Sequence, residues 1–255
     1  MYSGNAVRIQ KTIGESMKYG NIIKGSFVER INRFVAIVNI CGKGNVKVHV
    51  KNTGRCRELF VKDTPVYLED FEGRMGTRKI QYSLICVEKQ TVNGRILVNV
   101  DSQAPNKVVY EALENEKICL PGLKGNLTSL KPEKSFEASR FDFYAETSEE
   151  EKVYIEVKGV TLEENGVVMF PDAPTERGVK HVNELIRASQ SGFGAYIIFV
   201  IQIKGVLYFT PNDSTHREFG EALKNAAANG VHILAYDCFV GKNYMEINEP
   251  VEIRL

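Results

Sequence analysis

Two neighbouring stretches, Ser139-Arg-Phe-Asp-Phe-Tyr-Ala145 and Val153-Tyr-Ile-Glu-Val-Lys-Gly-Val160, set the architecture of the C-terminal part of this chain. Both are rich in aromatic and β-branched residues, and the acidic segment Glu146-Thr-Ser-Glu-Glu-Glu151 between them is predicted to be an exposed turn. Asp142 and Glu156 are equally far from the centre of that turn. A symmetric hairpin would therefore set them directly opposite each other, with Cβ atoms about 5 Å apart.

Facing carboxylates of this kind destabilise a sheet unless a positive charge lies between them. Mg²⁺ would remove the repulsion, because one or two carboxylates, waters and phosphate oxygens satisfy it. Strand alternation sets Lys158 on the face of Glu156, and sets Phe141 and Phe143 together on the face opposite Asp142. Two acids and a lysine on one platform can hold an attacking water and stabilise phosphoryl charge. The alternative is a plain salt bridge on a solvated sheet face.

A second group of polar residues follows on a predicted helix, Thr175 to Ser189, which begins at a threonine cap. Arg177, His181 and Glu184 fall on one face of this helix, at i, i+4 and i+7. Arg177, Lys180 and His181 near a helix start suit phosphate binding. His181 has no second histidine or cysteine at ligand spacing, which argues against zinc. The alternative is an ordinary amphipathic helix with a solvated polar face.

The first hundred residues are predicted to form a small antiparallel barrel of the OB type. Val46-Lys-Val-His-Val50 alternates strictly, and about five short strands are divided by turn signals. A glycine flanked by arginines follows in Asn52-Thr-Gly-Arg-Cys-Arg-Glu-Leu59, which suits phosphate binding or is simply a solvated loop. The candidate nucleic-acid contacts in this half are Asn52, Arg55, Arg57 and Lys62.

The charge distribution separates the two halves. Residues 1–100 hold 17 basic and 8 acidic side chains, whereas residues 101–255 hold 16 basic and 24 acidic ones. The basic half favours a phosphate backbone, and the acidic half suits a divalent cation, although solvated helices also collect acids. No apolar segment approaches the length of a membrane span, and the five scattered cysteines form no CxxC pair. We therefore expect a cytoplasmic protein with reduced thiols and no membrane partner.

Beyond residue 101 the pattern changes to helix, strands, helix, strand, helix and strand. Ala195 to Ile201 is continuously apolar, as expected of a strand buried on both faces, and the predicted strand runs to Ile203. This order predicts an α/β sandwich around a mixed central sheet, so that the whole chain is α+β. The expected domains are residues 1–102, basic and OB-like, and residues 103–255.

Taken together, these motifs resemble the sugar fermentation stimulation protein A family over nearly the full chain. The resemblance implies an N-terminal OB-like domain, a C-terminal domain similar to PD-(D/E)XK nucleases of the restriction-endonuclease type, DNA binding, and a link to the regulation of sugar-utilisation genes in bacteria. The matching pieces are Asn52-Thr-Gly54, Ser139-Arg-Phe-Asp142, Tyr154-Ile-Glu-Val-Lys158, Thr161-Leu162, Phe170-Pro-Asp-Ala173, Thr175-Glu-Arg-Gly178, Lys180-His181, Glu184-Leu185, Gly230-Val231 and Ala235-Tyr236.

By that likeness Asp142 corresponds to the acid of the nuclease motif, and Glu156 and Lys158 to its E-x-K. Such nucleases often add a glutamate from the preceding helix, so the resemblance implies that Glu111 or Glu114 completes the metal site, and we take Glu114 as the third ligand. The leading hypothesis is a Mg²⁺- or Mn²⁺-dependent DNA nuclease. The alternatives are a non-enzymatic DNA-binding regulator on a nuclease scaffold, or a small-molecule or RNA-binding module that uses the barrel alone. DNA strandedness and oligomeric state remain open.

Overall fold

The computed structural model describes residues 17–52, 54–92 and 94–255. Residues 1–16 of the expected N-terminal domain, Thr53 of its loop motif and Asn93 of an expected Asn-Gly turn lie outside the described residues.

Six strands form one sheet in the N-terminal part, in the order β3-β2-β1-β4-β5-β6. Neighbours in this order are antiparallel, and β3 makes an additional parallel pairing with β5. The alternating segment predicted from sequence lies in β3, where Val48 and Val50 are fully buried. The strands are β1 (Asn21–Asn32), β2 (Val35–Ile40), β3 (Gly44–Val50), β4 (Pro65–Asp70), β5 (Tyr82–Thr91) and β6 (Gly94–Asn99).

The C-terminal part holds a second six-stranded sheet, ordered β15-β14-β12-β9-β8-β7, and a small sheet ordered β10-β11-β13. In the large sheet β12 runs parallel to β9 and β14, while the outer pairs are antiparallel. The predicted α/β fold with a mixed sheet is confirmed. Its elements are α1 (Ala104–Glu114), β7 (Leu127–Phe136), β8 (Ser139–Thr147), β9 (Lys152–Val160), β10 (Leu162–Glu164), β11 (Val167–Phe170), α2 (Glu176–Gln190), β12 (Gly194–Ile201), β13 (Tyr208–Pro211), α3 (Asp213–Ala228), β14 (His232–Val240) and β15 (Met245–Pro250).

The central strand β12 shows how the layers are built. Phe199 and its alternate neighbours enter a hydrophobic cluster that includes α2 and α3, while Ile198 and its alternate neighbours enter a cluster that includes α1. A strand with helices on both faces must be apolar at every position, so the prediction of double burial is confirmed. Polar edge strands gave no such signal, and β7, which is largely exposed, was not predicted.

The two parts of the chain pack closely against each other. The hydrophobic cluster on the α2 side also contains core residues of the N-terminal sheet, such as Phe27 and Val38. Lys89 on β5 forms an ion pair with Glu163 on β10, with Nζ and Oε2 2.6 Å apart and both side chains largely buried. This contact fixes the N-terminal sheet against the segment that follows β9.

Candidate functional site

The hairpin of β8 and β9 has the register that the symmetric turn predicts. Its paired residues run from Glu146 opposite Lys152 to Phe143 opposite Ile155. The next pair in this register would be Asp142 and Glu156, but the ladder ends one step earlier. Instead, the Asp142 carboxylate accepts a hydrogen bond from the backbone N–H of Val157 at 2.8 Å. A side-chain carboxylate thus holds the two strands together where the backbone pairing stops.

The alternation of β8 breaks at this point. Phe141 packs against the His181 ring on the α2 side, with centroids 6.2 Å apart, whereas Phe143 packs against Tyr110 of α1. The prediction that both phenylalanines share a face is therefore wrong. The neighbouring strand β7 has its own irregularity, because Glu133 adopts a φ of 54° between residues paired with Phe143 and Phe141. A left-handed residue interrupts the pleat and allows β8 to rotate at Asp142.

Asp142 is held from α1 as well as from β9. Asn106, in the first turn of α1, donates its side-chain amide to Asp142 Oδ1 at 2.7 Å. Burial raises the pKa of Asp142, and the negative charge of Glu156 raises it further. Two neighbouring carboxylates that are shielded from water repel each other, so the pair favours the binding of a cation between them.

Glu156 is 2% exposed and ionised. Burial alone would raise its pKa, but the hydrogen bond from His181 and the charge of Lys158 outweigh burial and leave the pKa of Glu156 below its ordinary value. Both partners bind one oxygen: Lys158 Nζ forms an ion pair with Oε1, and His181 Nδ1 lies 2.6 Å from the same atom. The other oxygen, Oε2, has no hydrogen-bond partner among the described residues. A buried carboxylate oxygen without a partner is rare, and it fits a metal ligand.

His181 occupies a different place from the one predicted for it. Its ring is 6% exposed, Nδ1 faces Glu156, and Nε2 accepts a hydrogen bond from Arg177 Nε at 3.3 Å. With Nε2 as the acceptor, Nδ1 is the ring nitrogen that donates to the carboxylate. The structure thus sets His181 against Glu156, under the exposed Arg177, rather than on the surface where it would contact a phosphate.

The predicted helix face is real, but it is not solvated. His181 and Glu184 are both buried, so an ordinary helix with a solvated polar face is excluded at these two positions. Arg177 and Lys180 are the exposed members, and Lys180 Nζ also donates to the carbonyl of Ala138 in the β7–β8 turn at 3.2 Å. The threonine cap is confirmed, because Thr175 Oγ1 accepts the N–H of Gly178.

The structure does not bring the helix glutamates to the pair. Glu114 lies eight residues after Asn106, about 12 Å along α1, and it is exposed and accepts the Tyr110 hydroxyl at 2.8 Å. Glu111 accepts the backbone N–H of Met17 at 2.9 Å. Within the described residues, no group of three or more His, Cys, Asp or Glu side chains is placed to hold a metal ion. The helix contributes the uncharged Asn106 instead, which a search for acidic ligands does not single out.

The loop after β3 is organised by Arg30 on β1. The Arg30 guanidinium donates hydrogen bonds to five backbone carbonyl oxygens, which belong to Asn32, Arg33, Asn52, Gly54 and Arg55. It also lies over the Phe60 ring, 5.0 Å from the centroid. Arg30 is therefore a structural residue that connects the β1–β2 turn to the loop.

Of the four predicted N-terminal contacts, two line a groove. Arg55 and Arg57 are exposed and border an open groove of about 410 Å³ together with Arg33. Asn52 shapes the loop, because its side-chain oxygen accepts the Gly54 N–H at 2.8 Å. Lys62 is exposed and does not border the groove.

This loop contacts the C-terminal part at the segment that follows β9 and at the segment that precedes α2. The backbone N–H of Arg55 donates to Asp172 Oδ2 at 3.0 Å, just before α2. Cys56 Sγ lies 3.9 Å from Thr161 Oγ1, three residues after Lys158. A Cβ on Gly54 would lie 2.4 Å from Asp172 Oδ2, so a larger residue here would displace the carboxylate that accepts the Arg55 N–H.

The fold, together with the arrangement of Asp142, Glu156 and Lys158, defines a two-domain protein: an OB-type domain is followed by a restriction-endonuclease-like domain. The family model described as "SfsA N-terminal OB domain" matches residues 28–100, and the model described as "Sugar fermentation stimulation protein RE domain" matches residues 103–244. The chain belongs to the sugar fermentation stimulation protein family.

Relatives and a solved structure agree with this assignment. Sugar fermentation stimulation protein homologs from Ruminiclostridium cellulolyticum and Clostridium beijerinckii are 51% and 50% identical over 243 residues, which cover 94% of this chain and 100% of each relative. A solved structure, described as "The structure of Pyrococcus Furiosus SfsA in complex with Ca2+", is 26% identical with a TM-score of 0.81. The match covers 95% of this chain and 100% of that one.

Family membership supports, in general terms, a role that is DNA-binding and regulatory or nuclease-like. As for membrane insertion, the described helices include none that is long and apolar enough to cross a bilayer.

Proposed function

We propose that this protein binds DNA and hydrolyses phosphodiester bonds with the help of Mg²⁺ or Mn²⁺ held by Asp142 and Glu156. The observation that carries the proposal is the unpartnered Oε2 of the buried, ionised Glu156, beside a second carboxylate whose pKa is raised. A buried acid pair of this kind is stabilised by a divalent cation, for which carboxylates, water and phosphate oxygens are suitable ligands. The related Pyrococcus furiosus protein, described in complex with Ca²⁺, adds support for a site that accepts hard cations.

Each residue then has a defined part in the reaction. A divalent cation, when bound, stabilises the negative charge that develops on the phosphate. Asp142 and Glu156 would hold it, and Asn106 and His181 keep these carboxylates in place. Lys158, which is largely buried, directs its ammonium group toward the acid pair and offers a positive charge to the phosphate oxygens.

The exposed side chains around the pair supply the contacts to the DNA backbone. Arg177 and Lys180 lie on the same helix as His181 and point to solvent. Arg55 and Arg57 extend the positive surface from the N-terminal loop. Guanidinium groups suit this role because they bind phosphate with paired N–H donors.

A second candidate function is a non-enzymatic DNA-binding regulator of sugar-utilisation genes. One observation favours it: the described residues bring together two carboxylates rather than three. A site with two acids can bind a cation weakly and still fail to activate water. The two candidates differ in whether DNA is cut.

The experiment is incubation of the purified full chain with labelled single-stranded, duplex and branched DNA in Mg²⁺, Mn²⁺ or EDTA. Cleavage is expected in metal and not in EDTA, and Asp142→Asn or Lys158→Ala is expected to slow it at least about 100-fold, the usual loss when a transition-state contact is removed. Lys152→Ala, at an exposed position on the same strand, is the matched control. DNA binding without cleavage in any metal would overturn the nuclease and leave the regulator.

A further inference from the structure

The turn between β1 and β2 and the loop after β3 carry exposed apolar side chains beside the basic groove. Phe34 and Ile31 are 52% and 50% exposed, and each adjoins in sequence a residue that borders the groove. Val61, which follows the bordering residue Phe60, is also 52% exposed. Single exposed apolar residues are common on protein surfaces, but three that each adjoin in sequence a residue bordering one arginine-lined groove suggest a ligand with apolar faces.

The aromatic groups of the N-terminal sheet are not equally available. Tyr67 and Tyr82, which sit on strands, are buried. The Phe60 ring is stacked on Phe27, 5.4 Å between centroids, and is also covered by Arg30. Among the described aromatic residues of the N-terminal half, Phe34 has a mostly exposed ring and directly follows Arg33, which borders the groove. It is the aromatic side chain free to stack on a ligand.

The positive charges of the groove are also available to a ligand. Arg33, Arg55 and Arg57 are exposed, and within the described part of the chain none of their side chains forms an ion pair. No acidic side chain borders the groove among the residues described. Arg30 adds a positive charge to the groove and fixes the shape of the loop, because its N–H groups donate to backbone carbonyl oxygens. Three free guanidinium groups and one free aromatic ring match a chain of phosphates that carries flat apolar bases.

We propose that this groove binds one unpaired strand of DNA, with a base stacked on Phe34 and phosphates held by Arg33, Arg55 and Arg57. The bases of a duplex are already stacked on each other, so only an unpaired base offers its face to Phe34. A groove of about 410 Å³ has room for a nucleotide-sized group.

The route of the strand follows from the loop contacts. The loop that carries Arg55 and Arg57 meets Asp172 before α2 and Thr161 after β9. Since β9 also carries Glu156, the proposal directs a strand from the groove along β9 toward Asp142 and Glu156. This step rests on the proposed function, since it names the substrate class of that site: DNA with a single-stranded segment next to the bond that is cut.

The test measures binding in EDTA, so that cleavage plays no part. Fluorescence anisotropy of the full chain is recorded with a fluorescein-labelled oligo(dT) and with a blunt duplex of the same length. Oligo(dT) is expected to bind more tightly than the duplex. Phe34→Ala is expected to weaken oligo(dT) binding about 5- to 150-fold, the usual effect of one lost base stack, and to change duplex binding less than about twofold.

Charge and stacking are separated by further variants. Arg33→Ala with Arg57→Ala is expected to reduce the slope of log affinity against log salt by about 1.4 for the single strand. Phe34→Tyr is expected to keep wild-type binding because the ring is kept, and Phe34→Leu to lose it despite similar bulk. The matched controls are Phe239→Ala, another exposed phenylalanine, and Arg217→Ala, which removes an ion-paired arginine of α3.

Two results would overturn the inference: duplex binding as tight as oligo(dT) binding, or oligo(dT) affinity unchanged in Phe34→Ala. Circular dichroism melting of each variant confirms that it folds. Failure of the proposed hydrolysis is a separate result. If the variants bind in EDTA as expected but no DNA is cleaved in metal, the nuclease proposal is wrong and the single-strand groove is supported. If DNA is cleaved in metal but cleavage and binding do not depend on Phe34, the groove proposal is wrong and the nuclease is supported.

Discussion

Replacing His181 with alanine tests whether the histidine holds the buried Glu156 carboxylate. The change removes the Nδ1 donor 2.6 Å from Glu156 Oε1 and the ring that packs against Phe141. Lys158 still pairs with the same oxygen, so the carboxylate keeps one partner. The loss is therefore smaller than that of a wholly unpaired buried charge.

The magnitude follows from these contacts. Losing a hydrogen bond to a buried charged group costs about 1.5–3 kcal/mol, and removing the packed ring adds to that loss. We expect His181→Ala to lower the free energy of unfolding by about 3 kcal/mol, and to lower Tm by about 6–12 °C for a chain of this size. His181→Asn is expected to recover about half of the loss, because its side-chain amide can donate near the position of Nδ1.

Urea denaturation followed by circular dichroism measures the change, and a double-mutant cycle with Glu156→Gln assigns it to the pair. We expect a coupling energy of at least about 1.5 kcal/mol between positions 181 and 156. His232→Ala is the control, because His232 is half-buried and stacks on Tyr196, and no carboxylate of the described residues pairs with it. Additive effects within about 0.5 kcal/mol would refute the coupling, and equal losses in His181→Asn and His181→Ala would refute the role of the donor.

Three further outcomes are expected. Gly54→Ala inserts a Cβ against a carboxylate oxygen and is expected to cost about 1–3 kcal/mol, measured by urea denaturation; no change would mean that the loop relaxes freely. Tyr67→Phe removes the hydroxyl whose hydrogen bond lowers the pKa of Glu88. Because the pKa of Glu88 is lower in the folded state than its unfolded value near 4.5, the ionised carboxylate stabilises the fold above that pH, and the stabilisation is lost as the pH falls through the folded pKa. The variant is therefore expected to have a free energy of unfolding about 0.5–1.5 kcal/mol lower at pH 7 and equal to that of wild type in acid. Ellman's reagent is expected to modify the exposed Cys41 and Cys119 quickly and the other three thiols only on unfolding, and five fast thiols would contradict the burial.

Strong periodic signals predicted most of the fold. The alternating apolar residues of β9 and the continuous apolar run of β12 placed both strands, because the period of a strand is fixed by its pleat. The hairpin register followed from the symmetry of its turn. The exposed edge strand β7 and the small sheet of β10, β11 and β13 escaped prediction, since short or solvated strands carry little hydrophobic pattern.

The candidate site was predictable in its charges and not in its connections. Asp142, Glu156 and Lys158 stand out by type and spacing, but the rotation at Asp142 depends on the backbone of the next strand at Glu133. The role of Asn106 was also hidden, because an amide at the start of a helix has many ordinary uses. Contacts between distant segments are set by tertiary packing, which local sequence patterns do not report.

The opposite charges of the two halves meet where the loop after β3 contacts the C-terminal half. A cation between Asp142 and Glu156 would compensate only that pair, whereas a polyanion approaching the acidic half meets a surplus of carboxylates. The arginines of the loop after β3 oppose that repulsion where the loop contacts the acidic half, because this loop is bonded to Asp172 and packs beside Thr161. Screening at physiological salt limits such effects to about 8 Å. The basic half must therefore be packed directly against the acidic half to act on it, and the buried Lys89–Glu163 ion pair and the shared hydrophobic cluster provide that packing.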